Sequence, residues 1–466
     1  MAFLSENPTD VVIGNYNIGL LDQLQERSEL QFVGCCNELN AGYAADGSAR
    51  AASTRVSVLV VTFTVGSLSA INAVAGAYSE GLPVVVISGS PSSRTIGQQL
   101  RLHHTTGEAD HDQALNMFRP ITAASVRLSA EDPTSVLDQT LRICLESSLP
   151  VYVEVPTDVA LMPVEEHLKP LPRPPPSTLS SLGCTPQVVA SFVEYWNQVR
   201  NPILIVGPLV RRFLSKRSLV GLVEKLGCAV LCHFDGKSLV PEDHPQFAGA
   251  YCGSATFPDT TRAIVDQADF FVELGGRWVN SYPDVPSRAT VTIQPDHIRF
   301  PDRQEFSDIP MADLVTALLK SSIRRKTSSV HKSRTSTLCK DCTQSPSDSS
   351  QVKLSNILSE IQNLIDPLDT LIADTGDTMF CAQDIRLPRG ADFQTQTLYA
   401  SIGWSIPAAM GLQLARPEGR AVVMIGDGSF QMTGHEISTM LRLKVRPIIV
   451  IFNNLGYRIE VSASYS

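Results

Sequence analysis

Blocks of like positive charge are missing. With 38 basic against 47 acidic side chains, the 466 residues carry a net charge of −9, and no basic stripe is present to hold the chain on a phosphate backbone. Nucleic-acid binding is therefore not expected. Met1 to Glu6 lack the basic stretch, apolar run and small-residue cleavage site of a secretory leader, so a cytoplasmic protein is expected. Long apolar runs are scarce too. The uncharged stretch Val56 to Ser79 contains Thr62, Thr64, Ser67, Ser69 and Asn72, and it reads as strand, turn and buried helix rather than a membrane span. The 10 cysteines are too scattered for a disulfide framework and are expected to be reduced, most of them in apolar surroundings such as those of Cys144 and Cys228. Cys339 and Cys342 have the spacing of half a zinc site, with no second pair or histidine cluster nearby.

What is present is a globular composition, 43% hydrophobic and 18% charged, in a chain long enough for roughly three domains at about 150 residues each. Apolar β-branched runs alternate with helical periods, as in Arg55 to Thr64, Ser67 to Glu80 and Pro83 to Ser90. This predicts an α/β fold of three consecutive domains with parallel sheets. The boundaries fall at residues 1–168, 185–322 and 352–466, with a Ser-rich linker at 323–351 and a Pro-rich connector at Lys169 to Pro175. Asn37 sits where a helix N-cap belongs, and Ala41, Gly42, Ala44 and Ala45 allow close packing behind it. Thr433 and Glu436 have the spacing of a capping box. Gly236-Lys237-Ser238 lacks the first glycine of a phosphate loop and is rejected as one. The first strand has no helix before it, and the last unit stops soon after an apolar strand, so the chain reads as truncated at both ends.

The chemistry is concentrated in Gly426-Asp427-Gly428-Ser429-Phe430-Gln431, followed 27 residues after Asp427 by Asn454 in Asn453-Asn454-Leu455-Gly456-Tyr457. An acid at a strand end, a glycine turn and a second strand ending in an amide can hold a metal and a phosphate together: Asp427 offers a hard oxygen, Gly428 permits close backbone approach, and the Asn454 amide oxygen extends a Mg²⁺ shell. It is not a dinucleotide fingerprint, because Gln431 stands where the third glycine belongs.

This spacing resembles the thiamine diphosphate signature. Glu38, in Cys36-Asn37-Glu38-Leu39-Asn40, matches the glutamate that activates that cofactor at its aminopyrimidine. The adjacent His103 and His104 look like the double histidine of the pyruvate decarboxylase group, which includes indolepyruvate and phenylpyruvate decarboxylases. Gly14-Asn15-Tyr16-Asn17, Asp374-Thr375-Gly376-Asp377, Ile402-Gly403-Trp404-Ser405 and Gly456-Tyr457-Arg458-Ile459-Glu460 extend the likeness over nearly the whole chain. The resemblance implies pyrimidine-binding, Rossmann-like middle and diphosphate-binding domains. It also implies a bent cofactor over Ile402, with Thr375, Asp377, Ser401 and neighbouring backbone around it, and Gly428 and Ser429 at the diphosphate. Asp427, Asn454 and the Gly456 carbonyl would hold Mg²⁺. Glu38, His103, His104, Glu460 and Asn15 would form the catalytic set acting on a small 2-oxo acid. The cofactor would lie between subunits of a homodimer or a dimer of dimers.

Three departures bear on activity. Asn15 stands where the family carries aspartate, so a proton acceptor is replaced by an amide. Arg458 brings a cation before Ile459-Glu460, and Ala400 replaces a glycine. Non-oxidative decarboxylation of a 2-oxo acid, most simply pyruvate to acetaldehyde and CO₂, is the leading expectation. A carboligase of the acetolactate synthase type and a truncated non-catalytic relative are the alternatives.

Overall fold

The computed structural model describes residues 11–15, 31–51, 56–163, 186–253, 256, 259–277, 290–327 and 353–457. The Pro-rich connector, Cys339, Cys342, Arg458 and Glu460 lie outside them, as do the side chain of Asn15 and most of the linker. The described cysteines are all free, with Cys144 and Cys228 buried and Cys36 exposed. Among the described residues no helix is long and apolar enough to cross a membrane.

Three sheets form where the apolar runs predict them. The first contains β1 (Val11–Asn15), β2 (Gln31–Gly34), β3 (Ser57–Val61), β4 (Val84–Ser90), β5 (Ala124–Arg127) and β6 (Val151–Pro156) in the order β2-β1-β3-β4-β6-β5, each neighbouring pair parallel. Every residue of β3 is buried, the mark of a strand covered on both faces. The second sheet holds β7 (Pro202–Val206), β8 (Ala229–His233), β9 (Phe247–Tyr251), β10 (Phe270–Leu274), β11 (Thr290–Ile293), β12 (His297–Arg299) and β13 (Glu305–Ser307), ordered β13-β12-β11-β10-β7-β8-β9. The third holds β14 (Thr370–Ala373), β15 (Asp392–Thr395), β16 (Ala421–Gly426) and β17 (Ile448–Phe452), ordered β15-β14-β16-β17.

The second sheet is parallel from β9 through β11 and ends in a short antiparallel extension, β12 against β11 and β13 against β12. Only Gln294, Pro295 and Asp296 join β11 to β12, too few for a parallel crossover. At the divergence of β7 and β10, where open α/β sheets bind ligands, a Cβ on Gly207 would lie 2.3 Å from the Gly275 carbonyl oxygen. The backbones after β7 and β10 are therefore in contact there. Lys237 is buried in an ion pair with Glu242, in keeping with the rejection of Gly236-Lys237-Ser238 as a phosphate loop.

The chain divides into two compact units, residues 1–173, 372–378 and 395–466 in one and residues 174–371 and 379–394 in the other. Two helices organise the core of the first unit. Glu38–Ala51 is buried from Asn40 to Ala49, and its start is capped as expected, with Asn37 Oδ1 accepting from the Asn40 amide at 2.8 Å. It meets the almost wholly apolar helix Ser405–Ala415 at backbone contact. A Cβ on Gly47 would lie 2.0 Å from the Ala408 carbonyl oxygen, and one on Gly411 would lie 1.9 Å from that of Ala44. Asp46 accepts from Trp404 Nε1 at 2.9 Å and from Arg50 Nε at 2.7 Å. The guanidinium sits 4.7 Å over the Trp404 ring. Each helix thus leads out of a loop expected to carry site residues.

The capping box does not form. Thr433 ends the helix Asp427–Thr433 and donates to the Gly403 carbonyl at 2.6 Å. Glu436 is fully buried and accepts from Asn40 Nδ2 at 2.6 Å and the Cys36 amide at 3.2 Å. Long-range partners win both side chains that the local pattern assigned to a cap.

Candidate active site

Directly after β14 of the third sheet stands Asp374, whose buried carboxylate accepts from the Gly403 amide at 3.0 Å and the Ser405 amide at 2.9 Å. Burial raises its pKa against these hydrogen bonds. Together with Thr433 it pins the loop that presents Ser401 and Ile402, both half-buried. Ala400 adopts φ 54, the left-handed conformation that explains why glycine suits the position. Gly403 has φ 83 and no room for a side chain, since a Cβ would meet that of Met432 at 2.7 Å. Ser401 Oγ lies 2.6 Å from Tyr43 Oη, and burial pushes that phenol up to about 12, so it bonds as a neutral hydroxyl. Thr375 Oγ1 is buried without a partner, whereas Asp377 is exposed.

The ends of β16 and β17 lie side by side, with Gly426 in register with Phe452. Asp427 opens the following helix. After β17 the chain turns through Leu455 at φ 67 and Gly456 at φ 130. The amide head of Asn454 then comes 2.7 Å from the Gly456 carbonyl oxygen and 3.2 Å from Asp427 Oδ1. A nitrogen in that place would donate to both. An oxygen there completes a three-oxygen set that is repulsive until a cation sits among its members. Gly428 is covered by the Tyr457 ring, 2.6 Å from where a Cβ would stand. Ser429 is buried with its hydroxyl turned to Asp374.

In the first sheet, Glu38 is half-buried at the start of its helix. Its Oε1 lies 3.2 Å from the place a Gly66 Cβ would take, and Thr62 closes the same spot at 2.9 Å, so glycine is required there. Between them Thr64 is held at φ 47. The adjoining Phe63 ring stands edge-on to His103 and His104, at 5.7 and 5.4 Å between centroids. The two imidazoles are exposed, 4.5 Å apart. Asn15 ends β1 opposite Val61 of β3, which brings its backbone to the same end of the sheet.

The N-terminal TPP-binding domain of thiamine pyrophosphate enzymes matches residues 9–115, their central domain residues 189–321 and their C-terminal TPP-binding domain residues 374–462. The chain belongs to the thiamine pyrophosphate enzyme family. Among its relatives, a probable pyruvate decarboxylase of Schizosaccharomyces pombe is 35% identical over 462 residues, covering 97% of this chain and 79% of that protein. Pyruvate decarboxylase 1 of Arabidopsis thaliana is 37% identical over 464 residues, with 97% and 76% covered. That of Pisum sativum is 36% identical over 461 residues, again with 97% and 76% covered.

The residues present fit the family's cofactor. A small hard cation at about 2.1 Å from octahedral oxygens sets neighbouring ligands about 3 Å apart, the separation that the two Asn454 distances bracket. The unpartnered Thr375 hydroxyl beside the pinned 400–405 loop awaits a polar group. Glu38, His103 and His104 gather at one sheet, and Thr375, Ser401, Ile402, Asp427, Gly428, Asn454 and Gly456 at the other. Among the described residues no hydrogen bond or ion pair joins Glu38 to the second group. Sequence reasoning missed Asp374, Tyr43 and Glu436 as organisers. For Asp374 a signal existed, an acid directly after an apolar strand, as at Asp427.

Proposed function

We propose that this chain decarboxylates a small 2-oxo acid without oxidation, pyruvate to acetaldehyde and CO₂ being the simplest case, with thiamine diphosphate and Mg²⁺ bound between subunits of a cytoplasmic homodimer or dimer of dimers. The observation that carries the proposal is the convergence of Asp427 Oδ1, the Asn454 amide and the Gly456 carbonyl beside the Gly428 turn, in a chain whose relatives bear the name pyruvate decarboxylase. Asp427, Asn454 and Gly456 hold the metal. Gly428 and Ser429 line the diphosphate, while Thr375, Asp377, Ser401 and Ile402 orient the rings. When bound, thiamine diphosphate supplies the electron sink that a 2-oxo acid lacks for loss of CO₂. Glu38 would face the aminopyrimidine, where a carboxyl group can hold a proton, and the missing side chain at Gly66 leaves room for it. His103, His104 and Glu460 handle the proton taken up in place of the departing carboxylate. The amide of Asn15 holds the substrate's polar groups but cannot relay a proton.

The test is aldehyde production by the purified full chain given both cofactors and, in turn, pyruvate, phenylpyruvate and indolepyruvate. Aldehyde formation dependent on both cofactors is expected. No aldehyde from any of them refutes the proposal. Asn15 favours one second reading, carboligation, and acetoin or acetolactate in place of free aldehyde would establish it.

A further inference from the structure

Between the helices Ser93–Gly97 and Gln113–Phe118, the loop carrying His103 and His104 has no regular structure. Its internal bonds are local: Thr105 Oγ1 donates to the Leu102 carbonyl at 2.8 Å, and Gln113 Nε2 to Thr106 Oγ1 at 2.7 Å. Arg127, the last residue of β5, grips its far end. NH1 reaches Asp112 Oδ1 at 2.6 Å, and NH2 reaches the His111 carbonyl at 2.5 Å. The third edge of the guanidinium turns inward, Nε to Glu154 Oε2 at 2.7 Å.

Glu154 is buried on β6, and its other oxygen accepts from Tyr152 Oη at 3.1 Å. Ser67 Oγ lies 3.1 Å from Tyr152 Oη and 3.2 Å from the Thr62 carbonyl, and its single proton serves one of the two at a time. Thr62 precedes Phe63, the ring on which both imidazoles rest, and it flanks Gly66 against Glu38. A run of close polar contacts therefore joins the loop that carries the histidines to the turn that supports them. Tyr152, Ser67 and Glu154 are at most 3% exposed, so solvent cannot replace a broken link.

We infer that Arg127 is a positioning residue, which sets the imidazoles of His103 and His104 over Phe63 by tying residues 111–112 to Glu154. The inference rests on the decarboxylase reading for its consequence in catalysis, while its structural content stands apart from turnover. A planar fork that serves three acceptors at once is a geometry lysine cannot reproduce. Displacing catalytic groups by about 1 Å costs about 100-fold in rate.

The experiment compares Arg127→Ala and Arg127→Lys with the parent, as full chains loaded with thiamine diphosphate and Mg²⁺. The expected result is a kcat for pyruvate lowered about 100-fold in Arg127→Ala with KM unchanged, a smaller loss in Arg127→Lys, and partial recovery of Arg127→Ala on adding guanidinium ion. Amide hydrogen exchange, which needs no turnover, is expected to quicken about tenfold in residues 102–112 of Arg127→Ala and to stay at parental rates in residues 202–274. If Arg127→Ala fails to fold, Arg127→Lys carries both readouts. Parental kcat together with parental exchange in residues 102–112 overturns the inference. A parent chain that makes no aldehyde would sink the decarboxylase reading alone, and the exchange rates would still decide the role of Arg127.

Discussion

Replacing Gly411 by alanine tests the packing that aligns the two site-bearing helices. The added Cβ would fall 1.9 Å from the Ala44 carbonyl oxygen, whereas unbonded carbon and oxygen need about 3.3 Å. The helices must therefore part by about 1.4 Å. The obstacle is backbone in a second helix, so no rotamer change relieves it. Overpacking of this kind costs about 3 kcal/mol, the upper part of its usual range, and alanine's better helix propensity returns about 1 kcal/mol. The net loss of about 2 kcal/mol lowers Tm by about 4–8 °C for a unit of this size. Scanning calorimetry of the full chain reads it, with Gly221→Ala as the control. That Cβ would meet Leu319 Cδ2 at 3.5 Å, an ordinary contact, so Gly221→Ala should be neutral or slightly stabilising. A Tm for Gly411→Ala at or above that of Gly221→Ala would refute the claim that backbone contact sets the helix spacing.

Other outcomes follow from single contacts. Burial works against the Asp392 carboxylate, yet Arg211 at 2.5 Å and Ser238 at 2.7 Å hold it well below the usual carboxylate range. A depressed folded-state pKa gives stability that is present above the unfolded value near pH ~3.9 and is lost as pH falls through the folded one. Acid unfolding below about pH 4 should therefore flatten in Asp392→Asn; that variant should also be less stable near neutrality by about 3 kcal/mol in urea titration. Tyr43→Phe removes the bond to Ser401 and should cost about 1 kcal/mol, read as weaker thiamine diphosphate binding by calorimetric titration.

Much of this architecture is legible in the sequence because buried parallel strands are near-continuous apolar runs, as at Pro202 to Val206 and Phe270 to Leu274. The Asn37 cap is local chemistry and equally readable. The short strands His297–Arg299 and Glu305–Ser307 escape because three residues cannot show a period. Gly47 and Gly411 each look like a weak point in a helix until the fold sets them against each other's helix. Glu436 misleads for the same reason: its partner Cys36 lies 400 residues away, and no local pattern carries that information. At the site the residue types that hold charge are readable, whereas the Asp374 clamp and the Arg127 path need three dimensions.

The central claim is that Asp427, Asn454 and the Gly456 carbonyl form one oxygen site. A crystal of the full chain grown with thiamine diphosphate and Mn²⁺, with anomalous scattering recorded, tests it directly. The account predicts a peak within about 2.2 Å of Asp427 Oδ1, the Asn454 amide oxygen and the Gly456 oxygen. A peak elsewhere, with the Asn454 nitrogen donating to Gly456 and Asp427, would contradict it.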